Sequence, residues 1–253
     1  MLPIIQDIVD APAGKTHLFF LGQAGFILKS KQGYTIGVDL YLSDCVARYD
    51  GFKRLMPFTI QPADIALDYL VATHAHYDHF DPDSIPELIS NGKTRLFAST
   101  GCETEVQKLS LHNEKISYVT EGDSVDLGDI HLEFVFCDHG SSAPDAFGMV
   151  ITIDGIMVYI AGDTCLRLDK IEEIKRGRAF DVTIAPINGA FGNLNELEAV
   201  ALCKAVTPKL FIPCHYWCFA EQLGNPLTFT NEVCAQLPEQ AYQLMRIGEG
   251  IVL

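Results

Sequence analysis

The segment Thr73-His74-Ala75-His76-Tyr77-Asp78-His79 places three imidazoles and one carboxylate within six consecutive positions. It follows a short apolar run that is typical of a buried strand. Because side chains alternate along a strand, His74 and His76 point the same way and can bind one cation. Asp78 and His79 fall on the following turn, where they can face a second cation. Imidazole and carboxylate are the ligands that suit zinc, manganese and iron at catalytic sites, so the segment predicts a metal site.

Three later strand ends carry side chains of the same kind. Predicted strands stop just before His139, Asp163 and His215, and the last of these strands is the final one that we predict in the chain. Asp163 can bridge two cations with its two oxygens, which is the simplest way to hold a metal pair about 3.5–4 Å apart. Asp39 ends an earlier strand and could accept a hydrogen bond from the second ring nitrogen of a ligand histidine. An ordinary turn aspartate is the alternative interpretation of Asp39.

The remaining histidines and the cysteines are expected to be structural. His17, His112 and His131 lie before or inside predicted elements, so we expect them to be structural or exposed. The eight cysteines include no Cys-x-x-Cys pair and lie mostly inside apolar runs, as reduced thiols of a cytosolic protein do. Cys214 and Cys218 flank the last strand-end histidine, but without a second pair they are not expected to bind metal.

Composition and charge limit the partners of the chain. Its 253 residues are 48% hydrophobic, which fits a globular protein with a sizeable core. The formal net charge of −15 would repel a polyanionic backbone, so no nucleic acid partner is expected. The longest apolar runs fall short of the roughly 20 residues that span a bilayer, and no signal peptide pattern begins the sequence. These features predict a cytoplasmic protein without a membrane segment.

A basic cluster stands out in this acidic chain. Arg48, Lys53 and Arg54 lie in the loop-like segment 41–66, close in sequence to the predicted metal ligands. They could receive the anionic group of a small substrate. A solvated basic loop is the alternative.

Strand-type and helical runs alternate along the sequence. Ser84 with Glu87, and Asn195 with Glu198, have the spacing of capping boxes and predict helix starts. The order is strands, helix, strands, helix, and no linker or low-complexity tract divides it. This order predicts an α/β (α+β) fold in which two sheets pack face to face with helices outside, a four-layer αββα sandwich that forms a single domain over residues 1–253.

With these ligands in place, the chain resembles the metallo-β-lactamase superfamily of hydrolases over essentially its whole length. Each ligand motif occurs in the expected order at a strand end. Within the superfamily the chain is similar to the L-ascorbate-6-phosphate lactonase group. That similarity is carried by Asp39-Leu40-Tyr41-Leu42-Ser43-Asp44, Ala161-Gly162-Asp163-Thr164, Ala185-Pro186-Ile187-Asn188-Gly189 and Ile212-Pro213-Cys214-His215-Tyr216.

The resemblance implies a dinuclear site of two divalent ions, with zinc or manganese expected and iron as a further candidate. A water between the two ions would lose its proton near neutral pH and attack the substrate. Asp78 is the expected proton shuttle if only one site is filled, and Asn188 or Tyr216 could donate a hydrogen bond to the developing oxyanion. The implied ligands are His74, His76 and His139 for one ion and Asp78, His79 and His215 for the other, with Asp163 between them.

Three functions follow from the resemblance. The first is a lactonase or esterase acting on a small anionic metabolite, for example a sugar-phosphate lactone such as L-ascorbate 6-phosphate. The second is a phosphodiesterase of a nucleotide or phospholipid head group. The third is a non-catalytic metal-binding protein, for which a missing ligand would be expected, and the sequence lacks none.

The same subgroup also implies a homo-oligomer. Ile4, Ile5, Ile8 and Val9 near the N-terminus could contribute to its interface. Packing within the chain is the alternative for these four side chains.

Overall fold

The computed structural model describes residues 3–58, 60–111 and 114–253. The chain divides into two compact units. Unit 1 consists of Met1–Val119 and Arg246–Leu253, and unit 2 of Thr120–Met245. Each unit contains its own sheet and its own helices, and each is described separately.

Unit 1 is built on a seven-stranded sheet. In chain order its strands are β1 (His17–Gly22), β2 (Gly25–Lys29), β3 (Thr35–Val38), β4 (Tyr69–Ala72), β5 (Arg95–Ser99), β6 (Ile116–Val119) and β13 (Glu249–Val252). The spatial order is β13-β1-β2-β3-β4-β5-β6. Strands β3 to β6 are parallel, so the carboxyl ends of β3 and β4 meet at the same edge of the sheet. That edge carries the predicted ligand segment.

The helices of unit 1 pack an apolar core against this sheet. They are α1 (Pro3–Asp10), α2 (Cys45–Tyr49), α3 (Ile85–Ser90) and α4 (Glu103–Lys108). Ile4, Ile5 and Ile8 of α1 are buried in one cluster with Leu70 of β4 and Leu96 of β5. These three isoleucines therefore pack within the chain. The exposed Val9 is the member of the N-terminal group that stays on the surface.

The start of α3 differs from the sequence prediction. Ser84 occupies the N-cap position, but its side chain makes no capping hydrogen bond. Its hydroxyl donates instead to Asp81 Oδ2 over 2.6 Å. Asp81 is fully buried and also accepts from the Leu42 main chain and the Ser43 hydroxyl. A buried carboxylate requires several donors, and this requirement overrides the local capping preference of Ser84.

Strand β13 was not predicted, because four residues give too short an alternating pattern. It pairs with β1 and places Gly250 opposite Phe19. A Cβ at Gly250 would overlap the ring of Phe19, which is buried.

We expect Gly250→Ala to lower the free energy of unfolding by about 1–3 kcal/mol through overpacking, measured by urea denaturation. Val252→Ala, at an exposed position of the same strand, should change it by less than about 0.5 kcal/mol. Equal effects of the two substitutions would contradict the close packing.

Unit 2 is built on a six-stranded sheet. Its strands are β7 (Ser124–Asp126), β8 (Ile130–Val135), β9 (Gly148–Ile153), β10 (Ile156–Ile160), β11 (Val182–Pro186) and β12 (Leu210–Cys214). The spatial order is β12-β11-β10-β9-β8-β7. Strands β7 to β10 are antiparallel, whereas β10, β11 and β12 are parallel. The carboxyl ends of the last three strands therefore lie at one edge.

Three helices cover one face of this second sheet: α5 (Ile171–Lys175), α6 (Glu196–Val206) and α7 (Pro226–Gln236). The capping box predicted for α6 is confirmed, because Asn195 accepts from the main chain of Glu198 and the Glu198 carboxylate accepts from the main chain of Asn195. Among the described residues, no helix is long and apolar enough to cross a membrane.

Candidate metal centre

In unit 1, a buried hydrogen-bond network joins the ends of β3 and β4. Asp39 follows β3 and Thr73 follows β4, and the parallel pairing of these strands brings the two residues together. The main-chain N–H and the hydroxyl of Thr73 both donate to the Asp39 carboxylate over 2.8 Å. Asp39 has a positive φ of 48°, a conformation that aspartate tolerates better than most residues. The network fixes the carboxylate beside the ligand segment.

This network sets the orientation of two histidines. His79 Nδ1 lies 2.9 Å from Asp39 Oδ2, and because a carboxylate only accepts, Nδ1 carries the proton and Nε2 carries the lone pair. The hydroxyl of Thr73 already donates to Asp39, so it accepts from His74 Nδ1 at 3.1 Å. The predicted contact between Asp39 and a histidine that is a candidate ligand is confirmed. Both imidazoles therefore present Nε2 as a metal ligand.

His74 and His76 converge on one point. His74 Nε2 lies 2.9 Å from His76 Nδ1, and the two rings meet edge to face. Two nitrogens bound at about 2.1 Å to one ion lie about 3.4 Å apart in tetrahedral geometry and about 3.0 Å apart at a ligand angle of about 90°, so a separation of 2.9 Å is close to that of a shared cation. The nitrogen of His74 that takes part is the one left unprotonated by the contact with Thr73. The pair fits the metal implied by the sequence.

Asp78 is oriented by a residue that the sequence did not indicate. Gln23, in the turn between β1 and β2, donates to Asp78 Oδ2 over 2.7 Å. The same oxygen lies 3.7 Å from His79 Nε2. Gln23 is buried and has a positive φ of 55°.

Partial burial and the negative charge of Asp78 raise the pKa of Asp50, while His76 lowers it, so Asp50 also lies within electrostatic reach of the cluster.

Unit 2 gathers its own ligand set at the carboxyl edge of its parallel strands. Asp163 follows β10 and His215 follows β12, with 3.1 Å between Asp163 Oδ2 and His215 Nε2. His139 Nε2 lies 3.9 Å from the same oxygen. Asn193 Nδ2 donates to this oxygen over 2.7 Å and fixes the carboxylate. No pattern in the sequence indicates Asn193, because its role depends on how the loop after β11 folds back.

The loop that carries His139 is held by its neighbour Asp138. Arg167 Nη1 donates to Asp138 Oδ2 over 2.7 Å, and this bond holds the pKa of Asp138 below its usual range. The main chain of Asp138 donates to the Thr164 hydroxyl and accepts from Cys165. These contacts tie the His139 loop to the segment that follows Asp163.

The two predicted oxyanion donors have different environments. Asn188 is fully buried after β11, and its Oδ1 has no hydrogen-bond partner among the described residues. Its Nδ2 makes one long bond of 3.4 Å to the Ala190 carbonyl. Tyr216 packs in the helix-side core, and its hydroxyl donates to the Met245 carbonyl over 3.0 Å. The hydroxyl proton of Tyr216 is therefore already used in this hydrogen bond. The side chain of Asn188 has more hydrogen-bonding capacity left than that of Tyr216.

Two of the three basic residues proposed for anion binding are already bonded to other groups of the protein. Arg48 donates to both carboxylate oxygens of Asp83 over 2.7 Å. Arg54 donates to the Tyr41 and Ser43 carbonyls, and its guanidinium lies 3.9 Å from the centre of the Tyr41 ring. The third residue, Lys53, is exposed. The loop is thus stabilised by its arginines, which leaves fewer cations for a substrate anion.

The other histidines and the cysteines lie outside the ligand sets. His17 is buried, 3.2 Å from the Pro12 carbonyl, and the partly exposed His131 contacts Asp126 over 2.5 Å. The expectation for His112 lies outside the described residues. None of the eight cysteines forms a disulfide, and among the described residues no group that could hold a metal includes a cysteine.

Histidine and aspartate side chains cluster at the strand ends of two mixed sheets, an arrangement that suits a metalloprotein of the metallo-β-lactamase fold. All seven predicted ligands are among the side chains that form candidate metal-binding clusters. In agreement with this class, the family model of the β-lactamase superfamily domain matches residues 40–216. The chain therefore belongs to the β-lactamase superfamily.

Relatives and solved structures agree with this family. The chain is 28% identical over 241 residues to a UPF0173 metal-dependent hydrolase of Polynucleobacter asymbioticus, covering 87% of this chain and 80% of the relative. A metallo hydrolase from Ignicoccus hospitalis superposes with a TM-score of 0.73 at 21% identity, covering 94% and 98% of the two chains.

A metallo-β-lactamase fold protein from Bacillus subtilis superposes with a TM-score of 0.71 at 16% identity, covering 95% of this chain and 100% of the other. The fold class predicted from the sequence is confirmed, and with the family it defines a metal-dependent hydrolase. The L-ascorbate-6-phosphate lactonase subgroup stays a prediction, since these matches do not distinguish it.

Proposed function

We propose that this hydrolase opens a lactone or ester bond of a small metabolite and uses two divalent cations to do so. The observation that carries the proposal is the fixed orientation of the donors in each unit. His74 and His79 are aimed through Asp39 and Thr73, and Asp163 is aimed through Asn193. Donors that are held in place in this way are typical of a catalytic metal site, in which positions for water and substrate stay open.

The superfamily resemblance supports the assignment of the ligands. One cation would be held by His74, His76 and His139, the second by Asp78, His79 and His215, and Asp163 would contribute to both. When bound, such cations lower the pKa of a water molecule and polarise the carbonyl group under attack.

The protein side chains would then supply the remaining functions. If only one of the two sites is filled, Asp78, whose Oδ2 is held by Gln23, would take a proton from the attacking water and pass it to the leaving oxygen. Asn188 is the better placed donor to the oxyanion, because its amide is buried and only weakly bonded. Tyr216 would act as a positioning residue through its contact with Met245.

A phosphate on the substrate is not required by this proposal. The sugar-phosphate lactone was implied by the resemblance to the lactonase subgroup, and the basic residues of the 41–66 segment were the candidates for binding its phosphate. Arg48 is paired with Asp83, and Arg54 with main-chain carbonyls. The lactone or ester bond is therefore proposed as the reacting group, independently of an anionic substituent.

A substrate panel tests the reaction type. Protein loaded with zinc or manganese is assayed with lactones, aryl esters, aryl phosphodiesters and β-lactams, with His76→Ala as the control. We expect lactone or ester hydrolysis with a kcat/KM at least about 100-fold above that for phosphodiesters, and its loss in His76→Ala. Preferential hydrolysis of phosphodiesters would contradict the proposal and favour the phosphodiesterase function.

A further inference from the structure

Large apolar side chains are exposed beside the ligand set of unit 2. Phe191 is 57% exposed, Trp217 59% and Leu223 73%. Trp217 lies two residues beyond His215 in the loop after β12. The main-chain N–H of Leu223 donates to the Asn188 carbonyl over 3.2 Å. These three side chains therefore belong to the loops that carry His215 and Asn188.

The loops that carry these side chains are tightly packed. A Cβ at Gly224 would lie 2.8 Å from Tyr216 Cβ and 3.1 Å from Asn188 Cα, so the segment with Leu223 lies directly against both residues. Gly189 N–H donates to the Leu194 carbonyl and closes the loop with Phe191 at its tip. Asn193 of the same loop holds Asp163. These contacts hold in place the loops from which the apolar side chains project.

The backbone of these loops is strained. Phe191, His215 and Trp217 have positive φ values of 56°, 60° and 57°. This region is unfavourable for residues with a large side chain. The Trp217 ring meets the Tyr216 ring edge to face, with 5.8 Å between the ring centres, and most of its surface stays exposed. Strain of this kind persists mainly where a site requires it, which points to a contact with a ligand.

The charge of the loops selects the kind of ligand. Residues 187–195 contain no charged side chain, and residues 214–225 contain no lysine or arginine. A phosphate or carboxylate group would find no cation in these loops. An apolar group would find an indole, a phenyl ring and an isobutyl group. The charge of these loops therefore favours an apolar substituent over an anionic one.

We propose that Phe191, Trp217 and Leu223 form a subsite for the alkyl substituent of the substrate. The inference rests on the proposed function, since it specifies which lactones or esters this site accepts. Burial of one methylene can increase kcat/KM by up to about fourfold. The preferred substrates are then lactones or esters with an extended alkyl chain.

The dependence of the rate on chain length tests the subsite. The substrates are γ-lactones that share one ring and carry an ethyl, a butyl or a hexyl group. For the natural sequence we expect kcat/KM to rise about two- to fourfold per methylene. In Trp217→Ala the hexyl lactone should lose about tenfold or more and the ethyl lactone less than about twofold. Leu223→Ala should flatten the same dependence to a smaller extent.

Leu168→Ala provides the matched control. Leu168 is 50% exposed in unit 2 but lies outside the loops after β11 and β12, so this variant should keep the natural chain-length dependence. A parallel loss for all three lactones in Trp217→Ala, or an unchanged dependence, would overturn the subsite.

A binding measurement separates the subsite from the reaction. Trp217 is the single tryptophan of the chain, so fluorescence excited at 295 nm reports on this residue alone. The probe is a tetrahydrofuran that carries a hexyl group and has no carbonyl to hydrolyse. We expect a saturable blue shift with the hexyl probe and none with its ethyl analogue at equal concentration. Without a shift the subsite is wrong, whereas a shift in a protein that hydrolyses no lactone would support the subsite and refute the reaction.

Discussion

Removal of metal with a strong chelator is expected to reduce hydrolysis by about a thousandfold or more and to lower Tm. The imidazole nitrogens of unit 1 are oriented as they would be around a cation, with 2.9 Å between His74 Nε2 and His76 Nδ1. Without an ion, nothing activates water at neutral pH. The stabilisation that a bound ion gives to the folded state is lost as well. Activity and thermal melting are measured before and after chelation, and again after addition of zinc or manganese.

Two variants make this result specific. His76→Ala should behave like the chelated protein and should not recover when metal is added back. His131→Ala removes a histidine that contacts Asp126 outside both ligand sets, so its activity should stay within about twofold of the natural protein. Full activity in the presence of the chelator, with metal analysis showing the ion removed, would contradict a metal-dependent reaction.

Asp39→Asn is expected to weaken metal binding about 10- to 100-fold, although Asp39 is not itself among the proposed ligands. The carboxylate accepts from Thr73 and from His79 Nδ1 and so holds the metal-binding nitrogen of His79 in place. Asparagine has nearly the same shape and tolerates the positive φ at this position. The substitution thus removes the negative charge and one acceptor without changing the backbone. Competition with a chromophoric chelator measures the affinity.

The matched control is Asp126→Asn. Asp126 also contacts a histidine, His131, but its side chain is exposed and lies outside the ligand sets. Its replacement should leave metal affinity within about twofold. If Asp39→Asn bound metal as tightly as this control, the orienting role of Asp39 would be refuted.

The candidate ligands could be predicted from the sequence because each one lies in the segment that follows a strand. His74 and His76 lie in the loop after β4, where their rings converge, and the parallel pairing of β10 with β11 and of β11 with β12 brings Asp163 and His215 to one edge. These relations depend on local patterns and on one topological rule. The candidate metal-binding residues were therefore the part of the protein that the sequence predicts most directly.

The supporting residues could not be predicted in the same way. Gln23 contacts Asp78 across a separation of 55 positions, and Asn193 contacts Asp163 across 30. Nothing in a glutamine or asparagine of a turn specifies such a partner. Tyr216 illustrates the opposite case, because a residue next to a ligand had its hydroxyl committed to the carbonyl of Met245.

Capping shows the same limit of local signals. Asn195 and Ser84 both had capping-box spacing, and only Asn195 forms the box. The hydroxyl of Ser84 binds the buried carboxylate of Asp81, three residues away. The cost of a buried charge without donors exceeds the gain from one cap, so tertiary burial decides between two equally good local patterns.

The number of divalent ions that each chain binds at saturation tests the dinuclear site most directly. Elemental analysis follows metal loading and removal of excess ion, for the natural protein and for His76→Ala and His215→Ala. We expect two ions per chain in the natural protein and at least one fewer in each variant, together with loss of lactone or ester hydrolysis. A natural protein that retains no ion, or variants that retain the full number, would contradict a site built from these ligands.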